Sequence, residues 1–339
     1  MISALNQHAY LLKSRAKTGY VRLCHGDLHL RNIVQYNGKP TLFDALEFDD
    51  TLATVDVLYD LAFLLMDLWH RGLKEHANRC LNACVSMSMG TTALDGLALL
   101  PLFMAMRAGI RGMVAIDKLS VAQGVRTNAG HCADMAEMHE YFKLADQFLA
   151  RPSPVLIAVG GLSGSGKTTL AAAIAPYCDH APGTLHLRSD VERKRMFGAD
   201  PLETLPPQAY SDAANHSVYR RLCDRAGRAL RAGHSVIVDA VFLELQYRQW
   251  VEQTAGEAGC EFLGLWLEAD KDKLIERVTK RRHDASDANA DVVGAQLSTN
   301  TQAGTWTPIE AQGQLQTVVQ KTSLVLSHNL GRSLQAAPG

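Results

Sequence analysis

The sequence predicts an α/β fold: a parallel β-sheet flanked by helices in the second half of the chain, preceded by a mostly helical region. Three observations predict it. After Arg151-Pro152-Ser153-Pro154, short apolar runs of β character alternate with helical patterns. One of those runs, "VLIAVG", leads at once into "GLSGSGKTT" and then the helical "LAAAIA". Before the proline pair the pattern is helical apart from one hairpin-like stretch. Alternation of this kind implies βαβ units, whose crossovers put helices on both faces of a parallel sheet.

The 339 residues exceed one ordinary core, so two domains are expected, 1–150 and 155–335, joined by a linker at 151–154 where prolines suppress helix. Hydrophobic residues make up 47% and charged residues 20%, the balance of a globular rather than a disordered chain. The net charge of −1 gives no overall pull toward nucleic acid or an anionic membrane. Seven scattered cysteines, Cys24, Cys80, Cys84, Cys132, Cys178, Cys223 and Cys260, form no CxxC pair. They read as reduced thiols of a cytoplasmic protein without a zinc site. The first residues lack the apolar core of a signal peptide. The run "LALLPLFMAMRAGIRGMVAI" is interrupted by Pro101, Arg107 and Arg111, which suits a buried helix better than a membrane span. No membrane partner is expected, and oligomeric state is not readable.

From the N-terminus, "ALNQHAYLLKSRAK" predicts one helix. "VRLCHGDLHLRNIVQYNGKPTLFDALEFDD" follows, with Asp27 and Asn32 five positions apart and Asn37-Gly38 between two β-like runs. Asn-Gly in that setting predicts a tight hairpin. The hairpin would return Asn32 and Asp44 to one place beside Asp27. That is the layout of a kinase catalytic loop, with Asp27 orienting an acceptor hydroxyl and Asn32 and Asp44 binding Mg²⁺.

In the second half the strand–loop–helix around Gly161 predicts a phosphate-binding loop made of Gly161, Leu162, Ser163, Gly164, Ser165, Gly166, Lys167, Thr168 and Thr169. Glycines let backbone N–H groups close on phosphate oxygens, and the following helix points its positive end at the anion. Lys167 is expected on the β and γ phosphates of ATP, and the Thr168 hydroxyl on Mg²⁺. The next strand, "TLHLRSD", is expected to end at Asp190 and to be followed by a long helix to Ala232. In such sheets strand C-termini line the ligand crevice, so Asp190 can accept a proton from an acceptor hydroxyl, and Arg193 can hold a phosphate or polar substrate. The alternative is a helix cap. "VIVDAVF" ends a strand at Asp239, a candidate for the Mg²⁺ shell, for substrate positioning or for capping a loop. A helix through Arg282 carries Arg277, Arg281 and Arg282 into the Asp-rich "HDASDA", a candidate mobile lid with arginines for the transferring phosphoryl group. A solvated helix end is the plainer reading of each arginine.

"GLSGSGKTT", "RSDVERKR", "VIVDAVF" and "RVTKRRHDASDA" together resemble the P-loop small kinases related to gluconate kinase, polynucleotide 5′-kinase and zeta toxins, over about residues 154–300. The resemblance implies an adenylate-kinase-like sheet and transfer from ATP to a hydroxyl, with Asp190 and Arg193 as the acceptor-activating pair. "HGDLHLRN", "LFDALEF" and "VDVLYDLAFLLMDLWHRGL" resemble the C-terminal lobe of aminoglycoside phosphotransferase-like kinases, over about residues 5–148. The order of the halves is similar to that of proteins described as bifunctional aminoglycoside phosphotransferase/ATP-binding proteins, which carry an AAA-type ATPase label. Only 24 residues precede His25, too few for the lobe that covers ATP in such kinases. The site at Asp27 is therefore expected to be inactive or weak, and the first domain to expose an apolar face and self-associate. The resulting expectation is an ATP- and Mg²⁺-dependent kinase acting on a small-molecule hydroxyl. An ATPase and a non-catalytic nucleotide-binding module are the alternatives, and a polynucleotide 5′-kinase ranks behind them.

Overall fold

The computed structural model describes residues 1–87, 92–121, 128–150, 152–281, 284–299 and 303–331. Arg151, Arg282, the side chain of Cys132 and residues 332–335 of the expected second domain lie outside the described residues. The chain divides into two compact units, Met1–Pro152 with His180–Pro182, and Ser153–Asp179 with Gly183–Gly339.

The first unit runs α1 (Ile2–Gln7), α2 (Ala9–Lys17), β1 (Val21–Leu23), β2 (Ile33–Tyr36), β3 (Lys39–Leu42), α3 (Asp50–Ala53), β4 (Thr54–Asp56), α4 (Val57–His70), α5 (Lys74–Met87), α6 (Thr92–Asp95), α7 (Leu100–Val121) and α8 (Asn128–Leu149). The single N-terminal helix expected from sequence is two helices, because His8 leaves helical geometry at φ −101° and ψ 7°. The hairpin forms with Ile33 opposite Leu42 and Tyr36 opposite Lys39. Asn37 and Gly38 both take positive φ, 50° and 73°, which a two-residue hairpin turn matching strand twist requires.

Helices α4 and α7 form the centre of this unit. Ala62, Leu65, Met66, Met104, Ala105 and Ala108 are fully buried. Burial of each large side chain stabilises by about 1.5–3 kcal/mol. Arg107 is buried among them and is satisfied by the Gly26 carbonyl at 3.1 Å, the Tyr59 carbonyl at 3.4 Å and the face of the Tyr59 ring at 4.0 Å. One segment, Ala93–Asp117, is long and apolar enough to cross a membrane by length and composition, and 56% of its most apolar window is buried inside the chain. Leu23, Leu42, Phe43, Phe48 and Leu52 are exposed apolar side chains of this unit.

The second unit runs β5 (Val155–Gly161), α9 (Lys167–Ile174), β6 (Leu185–Arg188), α10 (Ser189–Met196), α11 (Asp212–Arg231), β7 (Val236–Asp239), α12 (Leu245–Glu257), β8 (Glu261–Glu268), α13 (Lys271–Lys280), α14 (Ala290–Ser298), β9 (Thr307–Glu310) and α15 (Leu315–Leu330). All five strands are parallel, in the order β6-β7-β5-β8-β9. β5 is buried along its whole length, and Ile157, Val159, Ile237 and Leu265 pack with Leu170 and Ile174 of α9. This is the α/β sheet that the alternation predicts. The long helix expected up to Ala232 is broken into α10 and α11, because Gly198 takes φ +65° and Pro201, Pro206 and Pro207 follow.

Candidate active site

The loop between β5 and α9 is shaped by backbone that only glycine tolerates. Gly161 has φ +133°, and a Cβ there would lie 2.6 Å from the Leu267 carbonyl oxygen. Gly164 has φ +85°, and its Cβ would lie 2.5 Å from the Leu274 carbonyl oxygen. α9 then starts at Lys167 with no side chain capping its first turn, which leaves N–H groups for an anion. Lys167 Nζ donates to the Leu162 carbonyl at 3.0 Å, and Ser163 N donates to Gln296 Oε1 at 2.8 Å.

Below the loop, the Thr168 hydroxyl donates to Asp239 Oδ2 at 2.6 Å. Asp239 ends β7, opposite Arg188 in the sheet register. His186 Nε2 lies 3.4 Å and Arg188 Nε 3.9 Å from the same carboxylate. Burial by itself would raise the Asp239 pKa. The His186 hydrogen bond and charge, the Lys167 ammonium and the Thr168 hydrogen bond outweigh it and hold the carboxyl below its ordinary range. A hydroxyl and an ionised carboxylate side by side are hard oxygen donors that fit Mg²⁺. Among the described residues no group of three or more His, Cys, Asp or Glu side chains could hold a metal ion. A cation at Thr168 and Asp239 would take its other ligands from phosphate oxygens and water.

Asp190 is not a strand end. β6 stops at Arg188, and Asp190 sits in the first turn of α10, where no side chain caps the helix. The Ser286 side chain lies beside its carboxyl. Burial first, and the Asp239 charge second, push its pKa up, against the Ser286 side chain, Lys167 and Arg188. Burial likewise lowers the Lys167 pKa, with Arg281 adding to the effect and Asp239 and Asp190 opposing it. Arg193 is buried, donates Nη1 to the Ala209 carbonyl at 2.5 Å and lies over the Tyr210 ring at 4.8 Å.

The three expected lid arginines separate. Arg277 holds the loop itself, donating Nη1 to the Ser165 carbonyl at 3.2 Å and Nη2 to the Ala311 carbonyl at 2.7 Å. Arg281, just past α13, lines the cavity. Arg282 lies outside the described residues. The Asp-rich stretch is fastened rather than loose. Asp284 accepts from Arg188 Nη2 with both carboxylate oxygens, at 3.0 Å each, and from Ser286 N at 2.9 Å. Asp287 accepts from Lys194 Nζ at 2.7 and 2.9 Å, from Leu205 N at 3.1 Å and from the Tyr210 hydroxyl.

These elements line a solvent-open cavity of about 890 Å³. Ser163, Gly164, Ser165, Gly166, Lys167, Thr168, Thr169, Asp190, Arg193, Asp239 and Arg281 all line it. Gly161 and Leu162 do not: Gly161 ends β5, and the Leu162 side chain packs on Leu274, Val278 and Val293. The sequence reading missed Tyr210, Tyr219, Tyr247 and Ser286, which also line the cavity, and the partners Arg188, Lys194 and Gln296. The contacts of Arg188, Lys194 and Gln296 span 93 to 133 residues, so no local pattern marks them.

In the first unit the structure joins Asp27 and Asn32, with Asn32 Nδ2 donating to the Asp27 carbonyl at 3.0 Å and to Oδ2 at 3.1 Å. Phe43 N donates to the Asn32 carbonyl at 3.1 Å, which brings the backbone leading to Asp44 alongside. Asp44 itself has φ +59° and is exposed. The buried Asp60 carboxylate accepts from His25 N and Gly26 N at 3.1 and 3.0 Å and fixes the loop before Asp27.

Two uncharacterized proteins, from Mycobacterium tuberculosis strain H37Rv and from Mycobacterium bovis, are each 30% identical to this chain over 289 residues, 84% of this chain and 55% of theirs. The chain thus spans about half the length of the curated relatives it matches. An alignment of that extent includes part of both units. Among solved structures, a gluconokinase from Sinorhizobium meliloti matches 52% of this chain and 94% of its own, at 22% identity and TM-score 0.39. A sugar kinase from Janibacter matches 56% and 100%, at 19% identity and TM-score 0.40. An APS kinase of Mycobacterium tuberculosis in complex with AMPPNP and APS matches 52% and 99%, at 18% identity and TM-score 0.36. The phosphate-loop unit matches a family model: residues 156–302 fit the family described as "AAA domain".

Proposed function

We propose that the chain is an ATP-dependent phosphotransferase that moves the γ-phosphoryl group to a hydroxyl of a small molecule. The observation that carries this reading is Asp190. A plain nucleotide-binding site needs the loop, Lys167, Thr168 and Asp239. It does not need a second carboxylate in the same cavity with a hydroxyl beside it and a pKa that burial raises.

In this reading the loop N–H groups and Lys167 bind the β and γ phosphates. Thr168 and Asp239 hold Mg²⁺, which when bound neutralises charge between those phosphates. Asp190 takes the acceptor proton, and Arg193 orients the acceptor. Arg281 stabilises charge that develops on the transferring group. The weak net charge favours a small acceptor in the cytoplasm over a nucleic acid end or a membrane surface. The Asp27 site of the first unit, with its exposed Asp44, adds no second transfer. Release of ADP that depends on an added acceptor tests the proposal, with labelled ATP and a panel of polyols, sugars, amino alcohols and 5′-hydroxyl oligonucleotides. ADP release at one rate whatever is added would refute it.

A further inference from the structure

Ser286 lies in the Asp-rich stretch that follows α13, and its side chain stands beside the Asp190 carboxyl and lines the same cavity as Lys167, Thr168 and Arg281. It is held there from both sides. Its N–H donates to Asp284 Oδ1 at 2.9 Å, and Asp284 is gripped by Arg188. The next residue, Asp287, is gripped by Lys194. A swing of Ser286 away from Asp190 would strain two charge-assisted anchors. A hydroxyl held beside a carboxylate in the cavity of a phosphate loop has what a phosphoryl acceptor needs, a neighbouring base and restricted position.

We infer that Ser286 is a self-phosphorylation site: with no small-molecule acceptor in the cavity, its hydroxyl takes the γ-phosphoryl group of ATP bound to the same chain. The inference rests on the phosphotransferase reading above. The Ser286 oxygen forms a bond to the γ-phosphorus as the bond from that phosphorus to the β–γ bridging oxygen breaks. The hydroxyl proton passes to Asp190, and ADP leaves with the electron pair of the broken bond. The product is phosphoserine, and Asp190 returns its proton to water. The new phosphate stands near Asp190, between Asp284 and Asp287, where like charges repel. Modification is therefore expected to lower transfer to an external acceptor.

The test uses the full chain with Mg²⁺ and γ-labelled ATP and no acceptor, read by intact mass and peptide mapping. The expected result is one phosphoryl group on Ser286, gained at a rate per molecule that does not change with protein concentration. Ser286→Ala should lose the label and Ser286→Thr keep it, while Ser217→Ala, on the exposed face of α11, labels normally. Asp190→Asn should slow labelling by about 10²–10⁴-fold. Calorimetric ATP binding, measured on every variant, separates the failures. ATP binding with no label on Ser286, or labelling that rises with protein concentration, sinks this inference and leaves the phosphotransferase reading standing. An unmodified chain that does not bind ATP sinks both.

Discussion

Asp27 in the first unit and Asp190 in the second occupy comparable places in two sequence patterns for phosphate chemistry, and the structure treats them differently. Asp27 keeps 38% of its side chain in solvent and is bonded to Asn32, with His29 3.4 Å away. Asp190 is half-buried, lines an 890 Å³ cavity with Asp239, Lys167 and Arg281, and has its pKa raised by desolvation. The lesson is about desolvation. A carboxylate of the right spacing becomes a base tuned away from its ordinary pKa only when neighbouring elements remove water and set charges around it. The second unit does this with five strands converging on one crevice. The hairpin of the first unit presents its Asp44 to solvent.

The comparison breaks most readily on nucleotide binding. Lys167→Ala should leave no ATP affinity measurable by calorimetry, whereas Asp27→Ala should change it little. The reverse pattern would move the working site to the first unit. Next in size is Asp190→Asn, which keeps shape but cannot take a proton. Phosphoryl transfer should fall by about 10²–10⁴-fold in single-turnover kinetics with ATP binding nearly unchanged. Transfer at the unmodified rate would reduce Asp190 to a structural group and make Asp239 the next candidate.

Arg277→Ala sharpens the comparison within the second unit. It removes the ties from α13 to the Ser165 and Ala311 carbonyls while leaving every residue proposed to touch phosphate. ATP affinity should weaken about tenfold through loss of loop order, roughly what one or two charge-assisted hydrogen bonds supply. An unchanged dissociation constant would show that the loop holds itself.

The smallest effect is one of pH. Because the Asp190 pKa is raised, the carboxyl protonates at a higher pH than an ordinary aspartate, so the base is lost as pH falls through that raised value. The acid limb of kcat/KM, which reports the free enzyme, should lie above about pH 4. A limb at or below the ordinary aspartate value would mean that the environment of Asp190 does not govern transfer.

Local chemistry was legible in the sequence wherever a few neighbouring residues suffice. Glycines at 161, 164 and 166 marked the phosphate loop because no other residue fits those backbone angles. Asn37-Gly38 marked the hairpin turn for the same reason. Asp190 and Asp239 were readable because strand ends face the crevice in a parallel sheet, although Asp190 proved to be the second residue of α10 rather than the end of β6. Arg277 was misread as a lid residue, since a basic helix end looks the same whether it faces solvent or a loop carbonyl. The partners of the Asp-rich stretch were hidden for the same reason. Its aspartates are bound by Arg188 and Lys194, whose sequence distances of 96 and 93 residues hide the pairing.

By itself the sequence determined the alternation of strands and helices, the break near Pro152, the phosphate loop and the identity of its lysine and threonine. Each of these follows from backbone preference or from the spacing of side chains along one element. Only the tertiary structure decided which side chains meet: Asp190 with Ser286, Asp239 with His186, Asp284 with Arg188, and Arg277 with the loop it braces. Those pairings depend on how five strands order themselves in the sheet and on how much water their helices exclude. Both are set by long-range packing that no short stretch of sequence contains.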